Sequence, residues 1–428
     1  MNIITENLAN QQTFKNYLFF WIGQLFSILG SSITHFVIIW WITITTGSIL
    51  ILSIASFIYI LPMTLIIPIA GVLADKLSRK KIIITVDSLQ AFITFIVMLL
   101  FNFEMANPVL IIAINGLLGL FQGFHIPTLN AIIPTMVPKD KLSRLNGVSF
   151  LFSSFLQTIG PIIAAMLLSF IPIKIILWVD PITFLIAVIP LLLITIPSIK
   201  AVTKPDKKNS FLEDFKVGFR TLKSIPVVLM MLLVAMFVNF LWRPFGILMP
   251  YFVRFDHSGT ASELAFVLAF MNGGMILGAL IASFKKEWKR GVSIYFVGEF
   301  TLMLAYAIVA ISPHGFFLQM GIGAAILGIM IPILNTISLT TIQIKVPADK
   351  MGRISSIDFA VSMAISPIGA IISGPLAELF GIANLFLYCA ILGMVITIIF
   401  WWMAHIRFNN NDNKEELEKV EVNIDEAK

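Results

Sequence analysis

Apolar runs of about twenty residues or more recur along this chain between short polar turns, and each is long enough to cross a hydrocarbon core of roughly 30 Å as a helix. In the first half they fall at 14–43, 48–73, 82–101, 108–132, 145–170 and 175–196. In the second half they fall at 227–253, 262–284, 292–311, 316–342, 354–377 and 384–405. With 58% hydrophobic residues, 12% charged residues and 37 Phe in 428 residues, the chain carries more apolar surface than a soluble core could hide, so a bilayer is the expected solvent. The pattern predicts an all-α polytopic membrane protein of twelve transmembrane helices. Its expected parts are a cytoplasmic N-terminus at 1–13, a six-helix bundle at 14–196, a linker at 197–226, a second six-helix bundle at 227–405 and an unstructured cytoplasmic tail at 406–428.

Basic residues set the orientation. With the N-terminus inside, cytoplasmic segments hold Lys15, four cations at 76–81, three at 139–144, seven at 200–223, four at 285–290, three at 345–353 and four at 407–428. Those are 26 of the 29, and only Lys174, Arg243 and Arg254 fall elsewhere, so both termini are expected in the cytoplasm of a multi-pass protein of the inner or cytoplasmic membrane. The net charge of +6 therefore belongs to topology, and no nucleic-acid partner is expected. The first span is too long for a secretory signal core and lacks a small-residue cleavage site after it, so it is expected to stay attached. A single cysteine, Cys389, permits no internal disulfide.

The halves repeat. Ile126-Pro-Thr-Leu-Asn130 in the fourth span recurs as Ile331-Pro-Ile-Leu-Asn335 in the tenth, and the turns that follow, 137–144 and 346–353, share a Val-Pro-x-Asp-Lys pattern. Gly71-Val-Leu-Ala at the end of the second span has a weaker counterpart in Gly278-Ala-Leu-Ile at the end of the eighth.

Between spans two and three lies Gly71-Val-Leu-Ala-Asp-Lys-Leu-Ser-Arg-Lys-Lys81. Gly71, Leu73, Ala74, Asp75, Lys76, Arg79 and Lys80 resemble the G-x-L-A-D-[RK]-x-G-[RK]-[RK] loop of the major facilitator superfamily, with Ser78 in place of glycine. The resemblance covers about 14–405 and implies two pseudo-symmetric bundles that rock about a central site. It also implies that Asp75 bridges to the start of helix eleven, near Arg353 to Asp358, and latches the cytoplasmic side. The plainer alternative is a cluster that only anchors topology at the headgroup surface.

Other stretches are similar to the efflux branches of that superfamily. Gly160-Pro161-Ile-Ile-Ala-Ala165 resembles the G-P-x-x-G-G antiporter motif with alanines for the last two glycines, and Gln122-Gly123 resembles R-x-x-Q-G with Gly119 where the arginine belongs. Trp21-Ile-Gly-Gln24, Ser27, Gly30, Ser31 and 124–130 look like the macrolide-efflux branch of drug and proton antiporters. The pattern 211–222 fits as well and reads as an amphipathic helix on the inner membrane surface, or as a plain linker helix.

Polar groups inside hydrocarbon need a reason, because a charge at mid-bilayer costs about 2.5 to 3.5 kcal/mol on insertion scales. Asp87, Asp180 and Glu299 are the proton-coupling candidates, and structural pairing is the alternative for each. Asp87 lies six residues past Lys81, roughly 9 Å into the bilayer, where a neutral or paired state is favoured. The family architecture argues the other way, since it implies that helices three, six and nine pack outside while one, four, seven and ten line the cavity. Cavity candidates taken from the lining helices are Gln24, His35, Gln122, His125, Asn130, Asn239, Trp242, Arg243, Gln319 and Asn335. His35 and His125 are groups able to titrate near neutral pH. Arg243 either snorkels or pairs with an anion.

No P-loop lysine, H-E-x-x-H or Cys/His cluster occurs, so no enzyme activity, cofactor or metal is expected. The resemblance implies a monomeric secondary exporter of amphipathic small molecules, macrolide-like or multidrug in class, that works by proton antiport. A siderophore or lysophospholipid exporter and a non-transporting ligand sensor are the alternatives.

Overall fold

The computed structural model describes residues 10–196, 220–285, 288, 290–346 and 351–426. The linker helix expected within 197–219 and the side chains of Asp75, Lys76, Arg353 and Asp358 lie outside the described residues.

Helices α1 (Gln11–Thr46), α2 (Ile49–Lys76), α3 (Arg79–Asn102), α4 (Pro108–Met136), α5 (Lys139–Phe170) and α6 (Val179–Leu193) form the first half. Helices α7 (Pro226–Tyr251), α8 (Ala261–Phe284), α9 (Gly291–Ala310), α10 (Phe317–Lys345), α11 (Met351–Phe380) and α12 (Ile382–Glu426) form the second. Eleven helical segments among the described residues are long and apolar enough to cross a bilayer; the twelfth expected span falls on α11, whose apolar part is Ile365–Phe380. Large apolar side chains such as Phe92, Leu185 and Ile398 point outward, as a lipid-facing surface requires.

Local chemistry sets the ends. Asn10 accepts from the backbone of Gln12 and Thr13 at 2.9 Å while the Thr13 hydroxyl accepts from Asn10 N at 2.8 Å, a capping box that starts α1. Gly47, at φ 54°, supplies the left-handed turn that ends it. Thr260 and Glu263 build a second box at α8.

Two boundaries differ from the expected spans. The sixth span is broken into a single turn, Ile173–Ile176, and α6 proper. The last helix continues through the segment that composition reads as unstructured, so that expectation is corrected for 406–426. Extending an existing helix avoids the nucleation step.

Packing repeats between the halves. α2 packs on α4 as α8 packs on α10, α3 on α4 as α9 on α10, and α1 on α6 as α7 on α12; across the halves, α2 meets α11 and α5 meets α8. The sequence repeat and the spatial repeat therefore coincide. Two glycines let the paired helices approach: a Cβ at Gly119 would lie 2.9 Å from the carbonyl carbon of Tyr59, and one at Gly328 would lie 2.9 Å from that of Met271. An arginine cannot occupy position 119 at this spacing, which accounts for the departure from R-x-x-Q-G.

The halves close on each other at the end where α1 and α7 finish. There a Cβ on Gly374 of α11 would lie 2.8 Å from Ser53 Oγ and 3.2 Å from Leu50 Cα of α2, and one on Gly47 would lie 3.6 Å from the Phe255 ring.

Candidate functional site

Between the halves lies a cavity of about 680 Å³ whose two walls differ in chemistry. The first half contributes Gln24, Ser31, His35, Asp87, Gln122, His125 and Asp180; the second contributes Trp242, Phe245, Met249, Leu264, Leu268 and Met271, with Asn272 as its polar member. One wall can therefore hold hydrogen bonds and charge while the other packs against an apolar surface.

The polar wall is a connected set of side chains. His125 Nε2 on α4 lies 3.2 Å from Asp87 Oδ1 on α3, and Gln24 Nε2 on α1 donates to Asp87 Oδ2 at 3.2 Å. Ser31 on α1 donates to Asp180 Oδ1 on α6 at 2.8 Å, and Gln90 donates to Gln122 at 3.2 Å. Both acids are buried. The expectation that α3 and α6 keep their acids away from the cavity is corrected, because Asp87 and Asp180 both stand on its lining, held there by Gln24 and Ser31 of α1 and His125 of α4. The Asp87–His125 contact joins α3 to α4 on this wall.

The other candidates scatter. His35 and Trp242 line the cavity, His35 lying 5.8 Å from the Tyr59 ring and Trp242 stacking on Phe245 at 4.5 Å. Arg243 lines a smaller neighbouring cavity. Asn130, Asn239, Gln319 and Asn335 do not line the large cavity, so their assignment to it is corrected. Asn239 and Gln319 turn their amides to backbone oxygens, of Ala235 at 2.8 Å and Ile308 at 3.1 Å. Asn335 faces a separate cavity of about 350 Å³, and Asn130 is exposed on the side of α4. Glu299 is buried within α9 and lines none of these cavities. Sequence reasoning did not single out Tyr59, Gln90, Gln157 or Asn272, all on the lining; Asn272 Nδ2 donates to Gln157 O at 3.3 Å, joining α8 to α5 across the halves.

In the loop between α2 and α3, Lys80 Nζ donates to the carbonyls of Leu192 at 2.9 Å and Ile194 at 2.6 Å. These oxygens stand at the C-terminus of α6, where backbone acceptors are left over and a cation is favoured. Arg79 Nε donates to Ala74 O at 3.2 Å across the turn from α2, and Gly71 stands in open space among the described residues. On α5, Pro161 lines the cavity and a Cβ on Gly160 would lie 2.7 Å from Ser32 Cβ, so the motif there brings α5 against α1.

Residues 20–367 match the Major Facilitator Superfamily. The chain belongs to that superfamily. Among curated relatives, Macrolide efflux protein A of Streptococcus pyogenes is 27% identical over 388 residues, covering 90% of this chain and 95% of the relative. Macrolide efflux protein A of Enterococcus faecalis is 26% identical over 324 residues, covering 76% of this chain and 99% of the relative. A solved bacterial homologue of the iron transporter ferroportin, in an inward-facing state, superposes with a TM-score of 0.68 at 13% identity, covering 90% of this chain and 98% of that one. This superfamily member is thus a multi-pass membrane transporter similar to macrolide efflux proteins and not an enzyme, and its fold is the twelve-helix, two-bundle one.

Proposed function

We propose that this transporter exports amphipathic, macrolide-like small molecules from the cytoplasm in exchange for protons. The observation that carries the reading is the two-faced cavity, whose apolar wall suits a hydrophobic body and whose Asp87–His125 wall suits an amine and a proton in turn. Similarity to the macrolide efflux proteins supports the direction and the substrate class. The basic residues support termini in the cytoplasm, which makes the closed end at Gly47 and Gly374 the outer one and the described state inward-facing.

In the cycle, the pair gives a proton to the cytoplasm and a cationic amphipath takes the place beside Asp87. After the bundles rock, a proton from outside returns to Asp87 and releases the amine. Asp180, bonded to Ser31, is the reserve carrier on the same wall, and Glu299 is off the path. Cells carrying the gene should accumulate less labelled erythromycin than cells without it, and a protonophore should erase the difference. Equal accumulation with and without the gene removes the macrolide-like class, and a difference that survives the protonophore removes proton coupling.

The loop at Gly71 to Lys81 is read as the gate. Lys76, Arg79 and Lys80 hold it at the inner surface, Lys80 by capping α6, and Asp75 latches against the start of α11. Asp75→Asn keeps the size and removes the charge, so folded yield should persist while export falls about tenfold or more, the effect of losing one charge-assisted contact in a gate. Normal export by that variant reduces the cluster to a topology anchor.

A further inference from the structure

Beside the large cavity, and sharing His35, Tyr59 and Trp242 with it, lies a second cavity of about 240 Å³ toward the closed end. Arg243 enters it from α7 and Asn115 from α4, and no Asp or Glu is on its lining. Arg243 stands eight residues from the end of α7, roughly 12 Å along the axis, so its guanidinium is well inside the span.

Among the described residues the charge is held in place but not neutralised. Nη2 donates to Ser366 Oγ, and a Cβ on Gly369 would lie 2.8 Å from the Arg243 Cγ, so α11 fixes the side chain by packing and one neutral hydrogen bond. Among the described residues, no atom accepts from the buried Nε and none accepts from the buried Nδ2 of Asn115. No carboxylate among the described residues is paired with the Arg243 guanidinium. A cation inside a span normally faces a partner, and the planar edge of a guanidinium matches a carboxylate.

We propose that Arg243 and Asn115 form an anion-recognition subsite that binds a carboxylate carried by the transported compound, with the apolar body of that compound in the large cavity. The volume admits one carboxylate with a short stem, and a single guanidinium flanked by neutral donors balances one negative charge. The substrate class therefore includes amphipathic carboxylates, beyond the cationic amphipaths that suit Asp87. Transport of such a compound rests on the export reading, whereas its binding does not.

The test is equilibrium binding of radiolabelled 4-phenylbutyrate to the full chain in lipid nanodiscs, with no gradient applied. Wild type should bind the acid roughly tenfold or more tightly than its methyl ester, as expected for one charge-assisted hydrogen bond. Arg243→Gln should lose that preference, with folding checked by thermal unfolding. Arg243→Lys should keep part of it. Asn115→Leu, which leaves the charge, should weaken the acid about threefold and serves if Arg243→Gln does not fold. Equal binding of acid and ester, or unchanged binding in folded Arg243→Gln or Asn115→Leu, overturns the proposal. Displacement by chloride at a concentration equal to that of the acid also overturns it, because the site then takes an inorganic ion. Loss of erythromycin export leaves these measurements untouched, and absent phenylbutyrate binding leaves the export reading untouched.

Discussion

Asp87→Asn is expected to leave folding intact, to weaken binding of a cationic amphipath and to abolish accumulation against a gradient. The amide is isosteric, so its oxygen can still accept from Gln24 Nε2 and its nitrogen can still face His125 Nε2, keeping both 3.2 Å contacts. What it removes is the carboxylate that the proposed cycle assigns to the proton. One proton exchanged per pH unit of gradient sustains about a tenfold ratio of substrate across the membrane, since one unit is about 1.4 kcal/mol. The variant should bring that ratio to about one while still exchanging labelled for unlabelled substrate, at a reduced rate. If it keeps the full ratio, the coupling proton must sit on Asp180, the reserve carrier.

Gly119→Arg is expected to destroy folded yield, although on paper it completes the R-x-x-Q-G pattern. A Cβ there meets the Tyr59 backbone, which has no rotamer to yield with, and overpacking of this kind costs about 1–3 kcal/mol or more before the rest of the side chain is placed. The fraction recovered as a monodisperse peak in size-exclusion chromatography should fall severalfold. Gly147→Ala is the control, because a Cβ there meets nothing within 4 Å among the described residues. A normal yield of Gly119→Arg would mean that α2 and α4 are farther apart than described.

Much of the architecture was legible because the bilayer forces it. Twenty-residue apolar runs must close their hydrogen bonds as helices, and the repeat of Ile126 to Asn130 at Ile331 to Asn335 marks α4 and α10 as counterparts. The site was half legible. Rarity in hydrocarbon flagged Asp87, Asp180, Gln24 and His125, but sequence spacing within one helix says nothing about which neighbour a side chain meets, so the Asp87–His125 contact between α3 and α4 was hidden. Restricting the lining to four helices excluded Gln157 on α5 and Asn272 on α8, which the same rarity would have found. Asn239 and Gln319 were misplaced because an amide can bond a nearby backbone oxygen and need no cavity at all. The reach of Lys80 to the end of α6 spans 112 positions and has no local signature.

The most direct test of the account is proton release in proteoliposomes that hold the full chain, an acidic lumen and a pH-sensitive dye. On addition of erythromycin outside, wild-type vesicles should take up the compound and lose lumenal protons together. Asp87→Asn vesicles should show no proton release on the same addition. Uptake by wild type without any proton release, or equal proton release by Asp87→Asn, would contradict the claim that the Asp87 wall of the cavity exchanges a proton for the exported molecule.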